Sequence, residues 1–169
     1  MIEIFLKQKI KKLTKDYVRA KKFREYKDIH EVIVFFNIEN IPAVQHFVEI
    51  LIHDGKHVRA YSFDKKNIRH QLTETYHIWT RGSLEFNGAP KKKELLAFAK
   101  EPADTLIDLT TKAAPVLQYL FLNVSADFRV GFNRDNAALY DLLIEHTQGQ
   151  EFSFFLDQML FYMKSLRTK

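Results

Sequence analysis

The stretch DLTTK, residues 108–112, places a carboxylate, two hydroxyls and a lysine directly after the apolar run TLI. If a helix begins at or just after Thr110–Lys112, its free backbone N–H groups, the hydroxyls and Lys112 could together hold a phosphate. The same residues also read as ordinary helix punctuation, with one Thr capping the helix and Asp108 bonding neighbouring loop backbone. Other polar groups follow other apolar runs: Asn37, Glu39 and Asn40; Asp64, Lys65 and Lys66; and Asn133, Arg134 and Asp135. Asn37, Asn40, Asp108, Thr110, Thr111, Lys112 and Arg134 form the candidate set for a phosphorylated small ligand.

Several chemistries are disfavoured. The chain has neither GxGxxG nor GxxxxGK[ST], and only five glycines, too few for a backbone cradle around a pyrophosphate. There is no cysteine, so thiolate metal sites, disulfides and Cys nucleophiles are out. The seven histidines do not form a ligand set. His53 and His57 are separated by Gly55, which ends a helix, and His46 lies seven residues from His53. No serine stands in a nucleophile-elbow context. No cofactor, metal or catalytic residue is expected, and a non-catalytic module is favoured over an enzyme.

Strands and helices alternate along the chain. EVIVFFNI reads as a buried strand, followed by a helix with Val44, Phe47, Val48 and Leu51 on one face. HVRAYSF, HIWT, TLIDLT, FRVGF and YDLLIEH supply further strands. KKKELLAFAKE, TKAAPVLQYLFLNV and EFSFFLDQMLFYMKSL supply helices. This order implies βαβ crossovers. The predicted fold is a Rossmann-like three-layer α/β sandwich, with a mostly parallel sheet of about five or six strands and an amphipathic helix in front.

That leading segment carries the charge. Residues 1–28 hold ten Lys/Arg against four Asp/Glu, whereas the remaining chain is nearly neutral. The spacing predicts one helix over 3–25. Ile2, Phe5, Leu6, Ile10, Leu13, Tyr17, Ala20 and Phe23 fall on one face, with Lys7, Lys11, Lys15, Arg19 and Lys22 on the other. Residues 1–28 thus form a basic helical arm and 29–169 the α/β domain.

Three uses of the arm compete. It could lie on RNA or a ribonucleoprotein such as the ribosome, with Lys7, Lys9, Lys11, Lys12, Lys15, Arg19, Lys21, Lys22 and Arg24 on phosphates. It could lie on an anionic membrane, with Phe5, Leu6 and Ile10 in the interface. Or its apolar face packs on the domain or on a second chain, and the lysines are its solvated side. In the terminal helix, Phe154 and Phe161 lie opposite the core stripe and could be covered by the arm or by a partner.

FNGAP, LLAFAKEPADTLIDLT and ADFRVGF together resemble a family of small bacterial proteins of unknown function. Its pattern combines a basic N-terminal helix, a G-x-P turn, a strand ending in Leu-Ile-Asp-Leu and a later Lys/Arg-Val-Gly step. Gly88, Pro90, Asp104, Asp108, Arg129 and Gly131 are the matching positions. No activity comes with this resemblance. DTLIDLTTKAAPVLQYLFLNVSADFRVGF is more distantly similar to the N-terminal half of lipopolysaccharide heptosyltransferases. Those enzymes need a second, nucleotide-sugar domain for which this chain leaves no room, so the likeness implies the fold without the activity.

The expectation is a cytoplasmic binding or assembly module for RNA or a ribonucleoprotein. An enzyme or sensor for a phosphorylated small molecule comes second, and a peripheral membrane-surface protein third. No stretch is long and apolar enough to span a membrane.

Overall fold

The computed structural model describes residues 2–132 and 135–169. Its six-stranded sheet is parallel throughout, in the order β3-β2-β1-β4-β5-β6. The strands are β1 (Glu31–Phe35), β2 (His57–Phe63), β3 (Tyr76–Trp79), β4 (Thr105–Asp108), β5 (Phe128–Gly131) and β6 (Leu142–Leu143). The helices are α1 (Ile2–Lys15), α2 (Ile41–His53), α3 (Lys92–Ala99), α4 (Pro115–Leu122) and α5 (Phe152–Ser165). The central strands β1 and β4 are apolar on both sides, as a sheet covered on both faces requires.

Alternation along the strands divides the core in two. Val32, Val34 and Ile107 point toward α2 and α5, packing on Phe47, Leu51 and Met159. Ile33, Phe35 and Leu106 point the other way, toward Phe98 of α3 and Leu117, Leu120 and Phe121 of α4. Leu6 and Ile10 of α1 belong to this second cluster, and α1 packs on α4. The fold is therefore a Rossmann-like three-layer sandwich whose N-terminal helix docks on one outer layer.

The leading helix is shorter than its amphipathic pattern predicts. It ends at Lys15, and after a turn residues 17–25 run without regular secondary structure, as a strap along the body. The cause is distant in sequence. The Asp141 carboxylate accepts from the Arg19 guanidinium and, at 2.9 Å, from the Lys22 backbone N–H. Asp127 accepts from Lys22 Nζ at 3.1 Å and from Arg24 at 2.7 Å. A helix continued through Phe23 would give up these partners.

The strap also covers Arg129, whose guanidinium lies between the rings of Tyr17 and Phe121 at 4.9 and 4.7 Å. Arg129 donates to the carbonyls of Phe121 and Val124, and burial lowers its pKa to about 10.

Other matched positions are likewise architectural. Asp104 accepts from the backbone N–H groups of His30 and Glu31 at 2.8 and 2.9 Å, fixing the start of β1 beside β4. Gly88 has φ +80°, a left-handed conformation that glycine adopts without steric cost.

Candidate functional site

Docking through Leu6 and Ile10 fixes which side chains of α1 face outward. Lys7, Lys9, Lys11, Lys12 and Lys15 are all exposed. Among the described residues, Lys9, Lys11, Lys12 and Lys15 form no ion pair, and Lys7 meets only Glu3 of its own helix, at 3.9 Å. Glu3 also pairs with Lys65 of the β2–β3 loop at 2.9 Å, and this lysine holds its carboxyl below the usual range. That contact brings the loop's cation beside the first turn of α1. Lys21 of the strap is exposed as well.

The remaining strap cations are engaged. Arg19, Lys22 and Arg24 are held by Asp141 and Asp127, and the latter's carboxyl is lowered by hydrogen bonds from Lys22 and Arg24. The nine cations of the sequence reading thus divide into six open to solvent and three bound to carboxylates of the body.

The lysines of α1 occupy two flanks. Lys7, Lys11 and Lys15 recur every four residues and line an open groove of about 520 Å³ against Ala113, Pro115 and Gln118. Phe5, 63% exposed, shares the other flank with Lys9 and Lys12, four and seven residues on. The wheel placed Phe5 on the buried face. The observed docking line runs through Leu6 and Ile10 and leaves it outside.

At the carboxyl edge of the sheet the candidate ligand residues meet one another. The strand order reverses between β1 and β4, where an open α/β fold usually binds its ligand. Here Asn37 bridges that crevice. Its Oδ1 accepts from the backbone N–H groups of Thr111 at 2.8 Å and Lys112 at 3.1 Å, and its Nδ2 donates to the Lys112 carbonyl. The helix predicted to begin at or just after Thr110–Lys112 starts at Pro115. The N–H groups of Thr111 and Lys112 are therefore turned to Asn37 rather than aligned with a helix axis. Lys112 Nζ lies 3.6 Å from Glu39. Asn40 sits at the entry to α2 and lines neither the α1 groove nor the cleft beyond β4 and β5, while Arg134 lies outside the described residues.

A cleft of about 490 Å³ opens one strand further on, beyond the ends of β4 and β5. Asp108 is at its base and is buried. Asp108 Oδ1 accepts from the Thr110 N–H at 3.0 Å and its hydroxyl at 2.6 Å, and Oδ2 accepts from the Tyr140 hydroxyl at 2.6 Å. Asp108 pairs in register with Gly131 on the neighbouring strand. The Tyr140 ring lies across Gly131, where a Cβ would stand 2.8 Å from Cδ1 and closer still to Cε1.

Burial raises the Asp108 carboxyl above its ordinary range, against the pull of the Thr110 and Tyr140 hydrogen bonds. Burial also raises the Tyr140 hydroxyl, with Asp108 adding to the shift. A carboxyl with a raised folded pKa binds its proton more tightly folded than unfolded. Its contribution to stability is complete below the unfolded value of about 4 and is lost as pH rises through the folded value. Asp108→Asn cannot titrate, so this variant is expected to lose less stability than the parent as pH rises from about 4 toward neutrality. Denaturant unfolding across that range measures it, and parallel profiles for the two chains would refute a carboxyl raised by burial.

Sequence reasoning placed Phe5 on the apolar face and missed Tyr140, Gln118 and Asn136. Gln118 and Asn136 line both the cleft and the α1 groove, and their half-buried amides have no hydrogen-bond partner among the described residues. Only the sheet order could have exposed their proximity, since eighteen positions separate them. Phe154 and Phe161 are exposed on α5, 42% and 66%. Helix α1 does not cover them, because it packs on α4, on the other side of the sheet. His53 closes α2 and His57 opens β2 beside Glu31, and among the described residues no group of metal-ligating side chains converges. No helix among the described residues is long and apolar enough to cross a membrane.

A family model described as "Family of unknown function (DUF6913)" matches residues 3–166, from α1 to the end of α5. No curated protein and no solved structure matches the chain, so the likeness to heptosyltransferases rests on the quoted stretch alone.

Proposed function

The chain belongs to the DUF6913 family, and on the geometry above we propose that it is a non-catalytic module binding RNA or a ribonucleoprotein through α1. One observation carries this reading: a helix anchored by Leu6 and Ile10 presents five lysines to solvent, none paired with a carboxylate of the body among the described residues. A docked helix fixes the backbone from which its cations project, so little backbone order has to be gained on binding. The contacts are to phosphates, which position a partner without reading its sequence. Phe5, on the same flank as Lys9 and Lys12, adds an exposed ring on which an unpaired base can stack.

The membrane alternative draws on Phe5, Leu6 and Ile10 together, and Leu6 and Ile10 are committed to α4. A second reading, a sensor or enzyme for a phosphorylated small molecule, is favoured by the 490 Å³ cleft, which falls within the range of ligand sites, about 300–1,000 Å³.

Salt dependence tests the first reading. Five lysines contribute roughly −0.7 each for a single strand, so log K against log salt is expected to fall with a slope of about −3.5. Fluorescence anisotropy with a labelled RNA measures it. A slope near zero, or no binding at about 50 mM salt, would contradict polyanion recognition.

A further inference from the structure

The solvent face of α5 carries a pattern of its own. Phe154, Gln158, Phe161 and Ser165 follow one another at steps of four, three and four residues, the seam spacing of a two-helix pair. They lie on the side of the helix away from Phe155, Met159 and Met163, which α5 buries in the body. Both rings are braced: Phe154 stands edge-on to the buried Phe155 at 5.7 Å, and Phe161 edge-on to Tyr162 at 5.6 Å. Large and small side chains alternate along the seam. One flank of it carries Asp157, exposed and in no ion pair among the described residues, and Lys164, seven residues on. Lys164 donates to Asp54 at the end of α2, at 2.8 Å, yet its side chain is still 44% exposed and an ammonium has further donors.

A face with alternating sizes and one charge of each sign is complementary to itself when reversed. We propose that α5 pairs antiparallel with the α5 of a second copy of this chain, about a twofold axis between Gln158 and Phe161. In that register Phe161 meets the partner's Gln158 and Phe154 meets the partner's Ser165, so each ring packs over a smaller residue. Asp157 then faces the partner's Lys164, and the twofold axis makes the contact twice. A parallel pair would set ring against ring and leave Asp157 and Lys164 apart. The seam is under two heptads long, well short of an obligate dimer's interface, so the copies associate reversibly at micromolar concentration. This goes beyond the RNA reading and does not depend on it. Because α1 packs on α4, across the sheet from α5, the pair leaves both α1 arrays facing outward.

Sedimentation of the intact chain from low to high micromolar concentration is expected to show monomer passing into dimer. Phe161→Glu should weaken the dimer at least about a hundredfold, because each pair loses two buried rings. Asp157→Lys and Lys164→Asp each set like charges across the axis and should self-associate less than the parent. An equimolar mixture of these two chains restores both opposite-charge contacts and should pair roughly tenfold more tightly than either alone. Lys164→Asp also breaks the contact to Asp54, and thermal unfolding checks that it folds. Should it not fold, Asp157→Lys against Asp157→Asn reads the same charge, with the lysine variant the weaker dimer. A parent that stays monomeric overturns the proposal, including one that instead floats with vesicles of anionic phospholipid. A dimer untouched by Phe161→Glu overturns it too, since the interface then lies elsewhere. So does a mixture of charge variants that regains nothing, because the antiparallel register requires the gain.

Discussion

Replacing Lys7, Lys9, Lys11, Lys12 and Lys15 together by glutamine is expected to weaken RNA binding on the order of 10³-fold at about 0.1 M salt. Each lysine on a single strand is worth about five-fold there, because it releases part of one condensed counterion, and five such contacts multiply. Folding should be nearly untouched. All five side chains are solvated, the one ion pair among them is an exposed contact within α1, and exposed pairs contribute little. Removing like charges spaced at i, i+4 should if anything favour the helix.

The strap cations provide the contrast. Arg19→Gln and Arg24→Gln break contacts to Asp141 and Asp127, so they are expected to lower stability while leaving most RNA affinity in place. Anisotropy and thermal unfolding on the same samples separate the two effects. Equal affinity losses in both sets would mean that net charge, not the α1 array, attracts the nucleic acid.

The largest expected effect on stability comes from one methyl group. Gly131→Ala would place a Cβ 2.8 Å from the Tyr140 Cδ1, and the ring has nowhere simple to go. Tyr140 is buried, its hydroxyl is tied to Asp108 at 2.6 Å, and its ring lies 5.2 Å from that of Phe121. Overpacking of a filled core costs roughly 1–3 kcal/mol, and the broken bond to a buried carboxyl adds about 1–2 kcal/mol. Denaturant unfolding is therefore expected to show a loss of about 2–5 kcal/mol.

Gly82→Ala is the control, since a Cβ there meets only the Thr80 hydroxyl at an ordinary 3.5 Å. In a Tyr140→Ala background, Gly131→Ala should cost far less than in the parent, because the two side chains compete for one space. Additive losses would place the strain elsewhere.

Much of this fold was legible because its signals are local. EVIVF and TLID are short apolar runs of the kind that only a doubly covered strand buries, and Pro42 and Pro115 stand at the starts of their helices. The end of α1 was not legible. Val18 alone departs from the apolar stripe between Lys15 and Phe23, no Gly or Pro stops a helix there, and the groups that hold this segment, Asp127 and Asp141, are more than a hundred residues away.

The site divides along the same line. That the α1 lysines stand on a solvated face was legible from charge and helical spacing. Asn37 was singled out at the carboxyl edge, but that its amide bonds the Thr111 and Lys112 backbone across the crevice gave no local signal. Tyr140 gave no signal, because only the pairing of Gly131 with Asp108 brings a tyrosine across that strand. Gln118 and Asn136 are ordinary amides until α1 and α4 are packed together.

Lysine footprinting tests the central claim most directly: acetylation of each lysine is followed by mass spectrometry with and without a saturating single-stranded RNA. Protection is expected at Lys7, Lys9, Lys11, Lys12 and Lys15, with little change at Lys91, Lys92 and Lys93, which are as exposed but lie at the start of α3. Protection spread evenly over all exposed lysines, or confined to residues outside α1, would contradict the account.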